Sequence, residues 1–487
     1  MLLQYKRLGG IISFKELVYL KRFFVLLLAS VLFLLCACAA DDSPLEFFES
    51  SESGSESQEE SIGSESEDSL NDFFLDIAVD LLPLFDNPEK DPDYEDKING
   101  FLNFIYDEYG ENALRGIYLE MKSEGYSDEM WLKHTGSSIH VLRSLFTKEY
   151  ESSNYRLISR TESKDEITVA FGGDVCFGDN YATMPYLQNR KNGILNKCIS
   201  QEWIDFMNEV DIATVNNEFS ISSRGEPLPR KKYTYVAKPE HTRYYNEMGI
   251  DFVTLANNHV FDYGEDAFFD TMSVLDEYGI NYAGAGKNAE AAQKPFYYII
   301  NGRKLAFISA TRAEKHILTP EATESAPGVF RCYDPERLLS VIEQADRESD
   351  FIILFVHWGE ENSSRLESVL KKTSHQYIDA GADLIIGTHA HQLQGIEYYN
   401  GKAIFYNLGN FWFNAKEVET GQVKLILSND LSTEYYFIPA MQAACKVSFE
   451  LGTARGREIL NNLQSLEPSQ VVIEDDGRII FENSEEE

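Results

Sequence analysis

The chain has 487 residues, 43% of them hydrophobic and 13% aromatic, enough apolar side chains for a large core shared over about two to three domains. Its 80 acids against 43 bases leave a formal charge of −37. That balance excludes a nucleic-acid duplex as partner, because such a contact needs a basic footprint.

In chain order, Lys15, Lys21 and Arg22 precede the apolar run "FFVLLLASVLFLL" (23–35). It is short for a membrane span and reads as the h-region of a secretory signal. It closes on "LCAC" (35–38), which resembles the bacterial lipobox, with Leu35 and Ala37 before Cys38. The resemblance makes 1–38 a lipoprotein signal, marks Cys38 for lipidation, and places the protein on the extracytoplasmic face of the cell membrane. A plain signal anchor is the alternative. Residues 39–69 form a Ser/Glu tract, and no Lys or Arg occurs from Ala39 to Glu89. Such a segment cannot bury enough apolar surface to offset its ordering entropy, so it is expected to be a disordered, self-repelling tether.

From 70 to 150 the period turns helical. "INGFLNFIYDEYG" and "ALRGIYLEMKSEG" carry apolar residues at three-to-four spacing and end on Gly, and "DEMWLKHTGSSIHVLRSLF" predicts two more short helices. His134 and His140 in this module read as packing or surface residues. From Glu166 strands and helices alternate, the mark of an α/β domain. "ITVAF" (167–171), "DIATV" (211–215), "DFVTLA" (251–256), "DFIILFV" (350–356) and "ADLIIG" (382–387) suit strands buried on both faces. "DAFFDTMSVLDEYG" and "DPERLLSVIEQADRE" read as helices, and Asn301-Gly302 and Asn400-Gly401 as type I′ hairpin turns. "QVKLIL" and "EYYFIP" look antiparallel, so the expected fold is α/β with two packed mixed sheets flanked by helices. The domain spans 165–415, and 416–487 completes it with strands, a helix and an acidic tail. Cys176, Cys198, Cys332 and Cys445 show no CxxC spacing, so no zinc knuckle or dense disulfide framework is indicated, and a single bridge stays open.

Each buried strand runs into polar residues at its C-terminal end: Gly172-Gly173-Asp174, Asn216-Asn217-Glu218, Asn257-Asn258-His259, His357-Trp358-Gly359 and His389-Ala390-His391. Ligands bind outside the carboxyl ends of strands in α/β sheets, so these turns should meet in one crevice. Singly, each is explained as a turn residue, a helix cap or a satisfied core histidine. Together, carboxylates, an amide oxygen and imidazoles make a mixed shell suited to Mn, Zn or Fe.

The stretches "GGDVCFG", "NNEFS", "LANNHVFDYG", "HWGEE" and "GADLIIGTHAHQLQGIEYYNGKAIFYNLGNFWF" resemble the CapA family of capsule or poly-γ-glutamate synthesis proteins. The resemblance covers 167–415 and implies a calcineurin-like metallophosphoesterase fold with two divalent metals. By position it makes Asp174, Glu218, Asn258, His357, His389 and His391 ligands, and His259 the general acid. Asp262 would orient the imidazole or its turn, although N-capping of the next helix explains it equally well. Glu361 would line the substrate pocket.

This sequence departs from the common metallophosphoesterase pattern at one place, as CapA relatives usually do, and from the CapA pattern at two. Cys176 stands where metallophosphoesterases commonly carry His, either packing or serving as a soft ligand. Asn217 replaces an expected Leu, and Asn362 an expected aromatic. The Pro-rich loop "SRGEPLPRKK" holds Arg224, Arg230, Lys231 and Lys232, either to grip an anionic substrate or simply as a solvated loop.

Three functions follow. The first is a membrane-anchored CapA-like protein acting on poly-γ-glutamate, with other capsule synthesis or export proteins as partners and no nucleic acid. The second is a general metallophosphoesterase acting on nucleotides or envelope phosphodiesters. The third is a non-catalytic assembly factor with a structural metal.

Overall fold

The computed structural model describes residues 94–158, 165–313, 318–468 and 471–481, with the side chains at 94–96 and 99 excepted. The expected signal with Cys38 and the acidic tether lie outside the described residues. Contacts divide the chain between Glu65 and Ser66, and every described residue belongs to the second unit. No helix among the described residues is long and apolar enough to cross a membrane.

Among the described residues four helices come first: α1 (Tyr94–Tyr109), α2 (Glu111–Glu124), α3 (Glu129–Thr135) and α4 (Ile139–Thr147). They form because Ile98, Phe101, Leu102 and Ile105 fall on one helical face, as do Leu114, Ile117 and Met121. These side chains bury one another together with Trp131 and Leu142. Gly125 and Gly136 close α2 and α3 at positive φ, and the Ser138 hydroxyl caps α4 by accepting from the Val141 N–H at 3.3 Å.

The strands that build the core are β1 (Tyr155–Ile158), β2 (Glu166–Val175), β3 (Ile212–Asn217), β4 (Phe252–Thr254), β5 (Asn281–Ala283), β6 (Phe296–Ile300), β7 (Arg303–Thr311), β8 (Phe351–Trp358), β9 (Leu384–His389), β10 (Ile396–Tyr399), β11 (Lys402–Phe405), β12 (Asn410–Trp412), β13 (Val418–Ser428), β14 (Thr433–Ala443) and β15 (Lys446–Phe449). One sheet runs β1-β6-β7-β8-β9-β11-β10, with β7, β8, β9 and β11 mutually parallel. The other runs β15-β14-β13-β2-β3-β4-β5, parallel from β2 to β5 and antiparallel from β2 to β15; β12 adds to the end of β2. Both sheets are therefore mixed, as expected. Both Asn-Gly hairpins are of the expected kind: Asn301 and Gly302 have φ 50 and 76, Asn400 and Gly401 φ 48 and 77.

Val169, Phe171, Phe252, Phe307, Phe355, Leu384, Val423 and Leu425 fill the space between the sheets. The outer face of the second sheet is covered by α5 (Thr183–Lys191), α6 (Gln201–Glu209), α7 (Arg243–Met248) and α8 (Gly264–Tyr278), and that of the first by α9 (Glu336–Asp346) and α10 (Ser368–Asp379). This layering is the calcineurin-like metallophosphoesterase class, and the parallel runs β7-β8-β9-β11 and β2-β3-β4-β5 present their C-terminal ends on one side.

Candidate metal centre

Asp174 ends β2 at a tight crossing. Its N–H donates to the Gly409 carbonyl at 2.9 Å, and a Cβ on Gly173 would lie 1.9 Å from that same oxygen, so only glycine fits before the aspartate. Asp174 Oδ1 accepts from Asn216 Nδ2 at 2.8 Å, and Oδ2 from the His389 N–H at 3.1 Å. The next strand end brings Glu218 alongside, fully buried. The ANNH turn follows β4, where Asn257 accepts from the His259 and Val260 N–H groups, both at 2.9 Å. His357 ends β8 with Nδ1 2.9 Å from Thr388 Oγ1.

The doubled asparagines work as a pair. Asn257 Nδ2 donates to Asn216 Oδ1 at 3.0 Å, and Thr254 Oγ1 donates to the same oxygen at 2.9 Å. The first Asn of each doublet thus ties two neighbouring strand ends together, leaving Glu218 and Asn258 to face inward. Sequence reading gave Asn216 and Asn257 no role; the recurrence of Asn-Asn at two strand ends was the available signal. Thr388, Tyr235 and Phe413 were also missed. The Tyr235 ring lies 4.5 Å from that of His259, and Phe413 4.5 Å from His391.

Two ligand groups result, Glu218–His357–His389 and Asp174–Glu218–His391, with the ligand atoms of each within 4.8 Å of one another. Glu218 is common to both. Its Oε1 is buried without a hydrogen-bond partner, 3.8 Å from His357 Nε2, 3.9 Å from His259 Nε2 and 4.0 Å from His391 Nε2. Asn258 Oδ1 and His389 Nδ1 lie 2.8 and 3.0 Å from His357 Nε2. Lone-pair atoms converging this closely suit a shared cation far better than they suit one another.

The electrostatics agree. Burial, then the Asp174 charge, pushes the Glu218 carboxyl well above the usual carboxylate range. Burial, then neighbouring imidazoles, holds His357 well below the ordinary histidine value and His389 down to about 3. The pocket resists both net negative charge and protonated imidazole, and a cation would relieve the first without needing the second. His389 and His391 also adopt positive φ, 96 and 56, a conformation that a non-glycine residue keeps only where its surroundings enforce it. The donor set fits divalent transition metal.

A family described as "Bacterial capsule synthesis protein PGA_cap" matches residues 168–415, just over half of the chain and the region that holds all these groups. The chain belongs to this family. It is 33% identical over 194 residues to the capsule biosynthesis protein CapA of Bacillus anthracis, covering 39% of this chain and 46% of that one. It is 32% identical over 188 residues to the PGA biosynthesis protein CapA of Bacillus subtilis, covering 38% and 49%. The chain thus spans about half the length of these curated relatives. A solved structure of a hypothetical protein from Thermus thermophilus is similar over 56% of this chain and 99% of that one, at 17% identity and a TM-score of 0.36. So low a score leaves the fold to rest on the sheet order itself.

Within this PGA_cap domain Asp174, Glu218, Asn258, His259, Asp262, His357, His389 and His391 come together in one buried cluster. Cys176 is buried, belongs to neither ligand group, and has its thiol pushed well up by burial, as a packing residue would. Glu361 is exposed, yet its charge contributes to raising Glu218. The four basic residues diverge. Arg224 is held by Asp270 at 2.5 Å, on α8, away from the cluster. Arg230 and Lys232 are exposed, Lys232 over the Tyr233 ring at 4.8 Å. Lys231 turns inward, Nζ 2.8 Å from Asp262 Oδ1.

Proposed function

We propose that this PGA_cap protein is a metal-dependent hydrolase of capsule or poly-γ-glutamate synthesis or export. It would be anchored by lipidated Cys38 on the extracytoplasmic face of the membrane and hold two divalent ions, Mn, Zn or Fe. The observation that carries the dinuclear reading is Glu218 Oε1, common to two ligand groups and hydrogen-bonded to nothing. Asp174, Glu218 and His391 would hold one ion; Glu218, Asn258, His357 and His389 the other. When bound, such a pair supplies Lewis-acid stabilisation of charge on a phosphoryl or acyl oxygen and a lowered pKa for water.

The remaining steps belong to the chain. His259 Nδ1–H donates to Asp262 Oδ2 at 2.7 Å, so its Nε2 faces the cluster and, when it also carries a proton, is the atom that would pass it to a leaving group. Asp262 keeps Nδ1 protonated and the ring in that orientation. The anionic polymer, or a phosphoester, would be the substrate, and Glu361 would stand at the pocket's rim. The capsule role is supported by the family and by the names of the Bacillus relatives, and the lipid anchor by "LCAC" alone.

Cys176 favours a second reading. In its place metallophosphoesterases commonly carry a ligand, and its absence leaves the Asp174 group with three side chains, which suits a single-metal assembly factor. The purified protein, loaded with Mn2+ or Zn2+, should bind two ions per chain and hydrolyse either aryl phosphodiesters or γ-glutamyl anilides. One ion and no turnover of either class would decide for the assembly factor. Mass spectrometry of the mature N-terminus should find acyl chains on Cys38; an unmodified N-terminus beginning further along would remove the anchor.

A further inference from the structure

The loop "SRGEPLPRKK" has the composition of an exposed, anion-seeking arm, yet its backbone lies directly on the turn that carries His259. A Cβ on Gly225 would lie 2.1 Å from the Tyr263 carbonyl oxygen, a contact that only glycine allows. Further along, the loop takes all three oxygens of Asp262. The Leu228 N–H donates to the backbone carbonyl at 2.8 Å, Lys231 Nζ pairs with Oδ1 at 2.8 Å, and the Tyr235 N–H donates to Oδ2 at 2.7 Å. Lys231 Nζ also donates to the Asn258 carbonyl, which accepts from Thr319 Oγ1 as well.

We propose that Lys231 is a positioning residue for His259, acting through Asp262, and that the loop is a strap across the proton-donating turn. This rests on reading His259 as the proton donor. The physical argument is one of lost freedom. With Oδ1 held by the ammonium and Oδ2 shared between the Tyr235 N–H and His259 Nδ1–H, the carboxylate cannot rotate. The imidazole plane then follows it, and the Tyr235 ring at 4.5 Å closes one face. The Lys231 side chain is 3% exposed and that of Asp262 0%, so this is a desolvated pair in which removal of either partner strands a charge. The same ammonium holds the Asn258 carbonyl, so one side chain sets the turn that presents both a ligand and the acid. A lysine serving a polymer at the surface would instead stay with Arg230 and Lys232, which are exposed.

The test compares aryl phosphodiesters with a poor leaving group (diphenyl phosphate) and a good one (bis-p-nitrophenyl phosphate), using the full Mn2+-loaded protein. Lys231→Met should lower kcat for the poor leaving group by about 10-fold or more, less for the good one, and leave KM unchanged. In an Asp262→Asn background, where no unpaired charge is left behind, the same change should cost nothing further. A readout independent of turnover is the nitrogen NMR spectrum of histidine-labelled, metal-free protein. His259 should show one tautomer, protonated at Nδ1, in the wild type and averaging between tautomers in Lys231→Met. A raised KM with kcat intact and an unchanged His259 spectrum would make Lys231 a substrate contact. Equal losses in both backgrounds would make it merely structural. Either result overturns the proposal. If the wild type cleaves neither ester, the phosphodiesterase form of the hydrolase reading fails instead, and the His259 spectrum still decides the assignment of Lys231.

Discussion

Charge is buried against both ends of the first sheet's parallel strands, and the two ends are built on opposite principles. At the N-terminal end Arg303 opens β7 and meets Asp350 at 3.2 Å and Glu129 of α3 at 2.9 Å. Asp350 Oδ2 accepts from the Ser138 hydroxyl and from the Lys304 N–H, each at 2.7 Å, and the Ser138 N–H donates to the Gly302 carbonyl at 2.7 Å. Lys304 Nζ sits over the Tyr297 ring at 4.3 Å and donates to Ser144 Oγ at 2.9 Å. Opposite charges interleave there, and they fasten the helical segment to the sheet. At the C-terminal end, where β8 and β9 meet the ends of β2 and β3 from the second sheet, the charges are alike or absent. Asp174 and Glu218 from the second sheet converge with His357, His389 and His391 from the first, and Glu218 Oε1 is left without a partner. The first arrangement is complete in itself and serves stability. The second leaves buried lone pairs facing one another, an arrangement that a cation would complete and whose cost folding elsewhere in the domain must offset.

Mutation should separate the two ends most sharply. Asp174→Ala or His389→Ala should strip metal from the protein, read by elemental analysis, and Arg303→Met should leave the metal content intact. Arg303→Met should instead lower unfolding free energy by about 3–5 kcal/mol, since it strands Asp350 in the interior. Unchanged metal stoichiometry in both ligand variants would dissolve the distinction.

Acid should reach the metal end first. Because burial and Asp174 raise Glu218, protons compete with metal for its carboxylate, while His357 and His389 are already neutral. Mn2+ affinity, followed by calorimetry, should therefore fall as pH drops from about 7.5 to about 5.5, with proton release on binding. An affinity independent of pH across that window would mean that Glu218 is not a ligand.

The smallest effect belongs to the other end. Desolvation lowers Lys304 from 10.5 to about 8. Between those values the unfolded chain holds a proton that the folded one has released, so this group's contribution to stability rises with pH. Comparing urea unfolding near pH 7.5 and near pH 9.5, the wild type should gain stability relative to Lys304→Met. Parallel curves for the two proteins would show that the ammonium is not penalised by burial.

Much of this was legible because the relevant codes are local. The apolar runs ending at Asp174, Asn216, Asn257, His357 and His389 specify strands through side-chain period and β-branched content, and parallel strands put their C-terminal residues on one side wherever they fall in the sheet. The Asn-Gly turns at 301 and 400 specify their own φ values. The strand-end residues could therefore be gathered into one crevice without knowing the strand order, and the resemblance to the CapA motifs singled out the six proposed ligands among them. The direction of a long side chain is not local in this way. Lys231 and Lys232 are neighbours in one polar loop, yet Lys231 is buried on Asp262 and Lys232 stays in solvent, because the crossing of Gly225 over Tyr263 decides which of them points inward. Arg224 finds Asp270 on α8, and Asn216 finds Asn257, through contacts 46 and 41 residues away in sequence. The docking of Ser138 on Asp350 spans 212 residues. Propensity and period act over a few residues, whereas these pairings depend on which surfaces the packed sheets bring together, and only the tertiary structure could settle them.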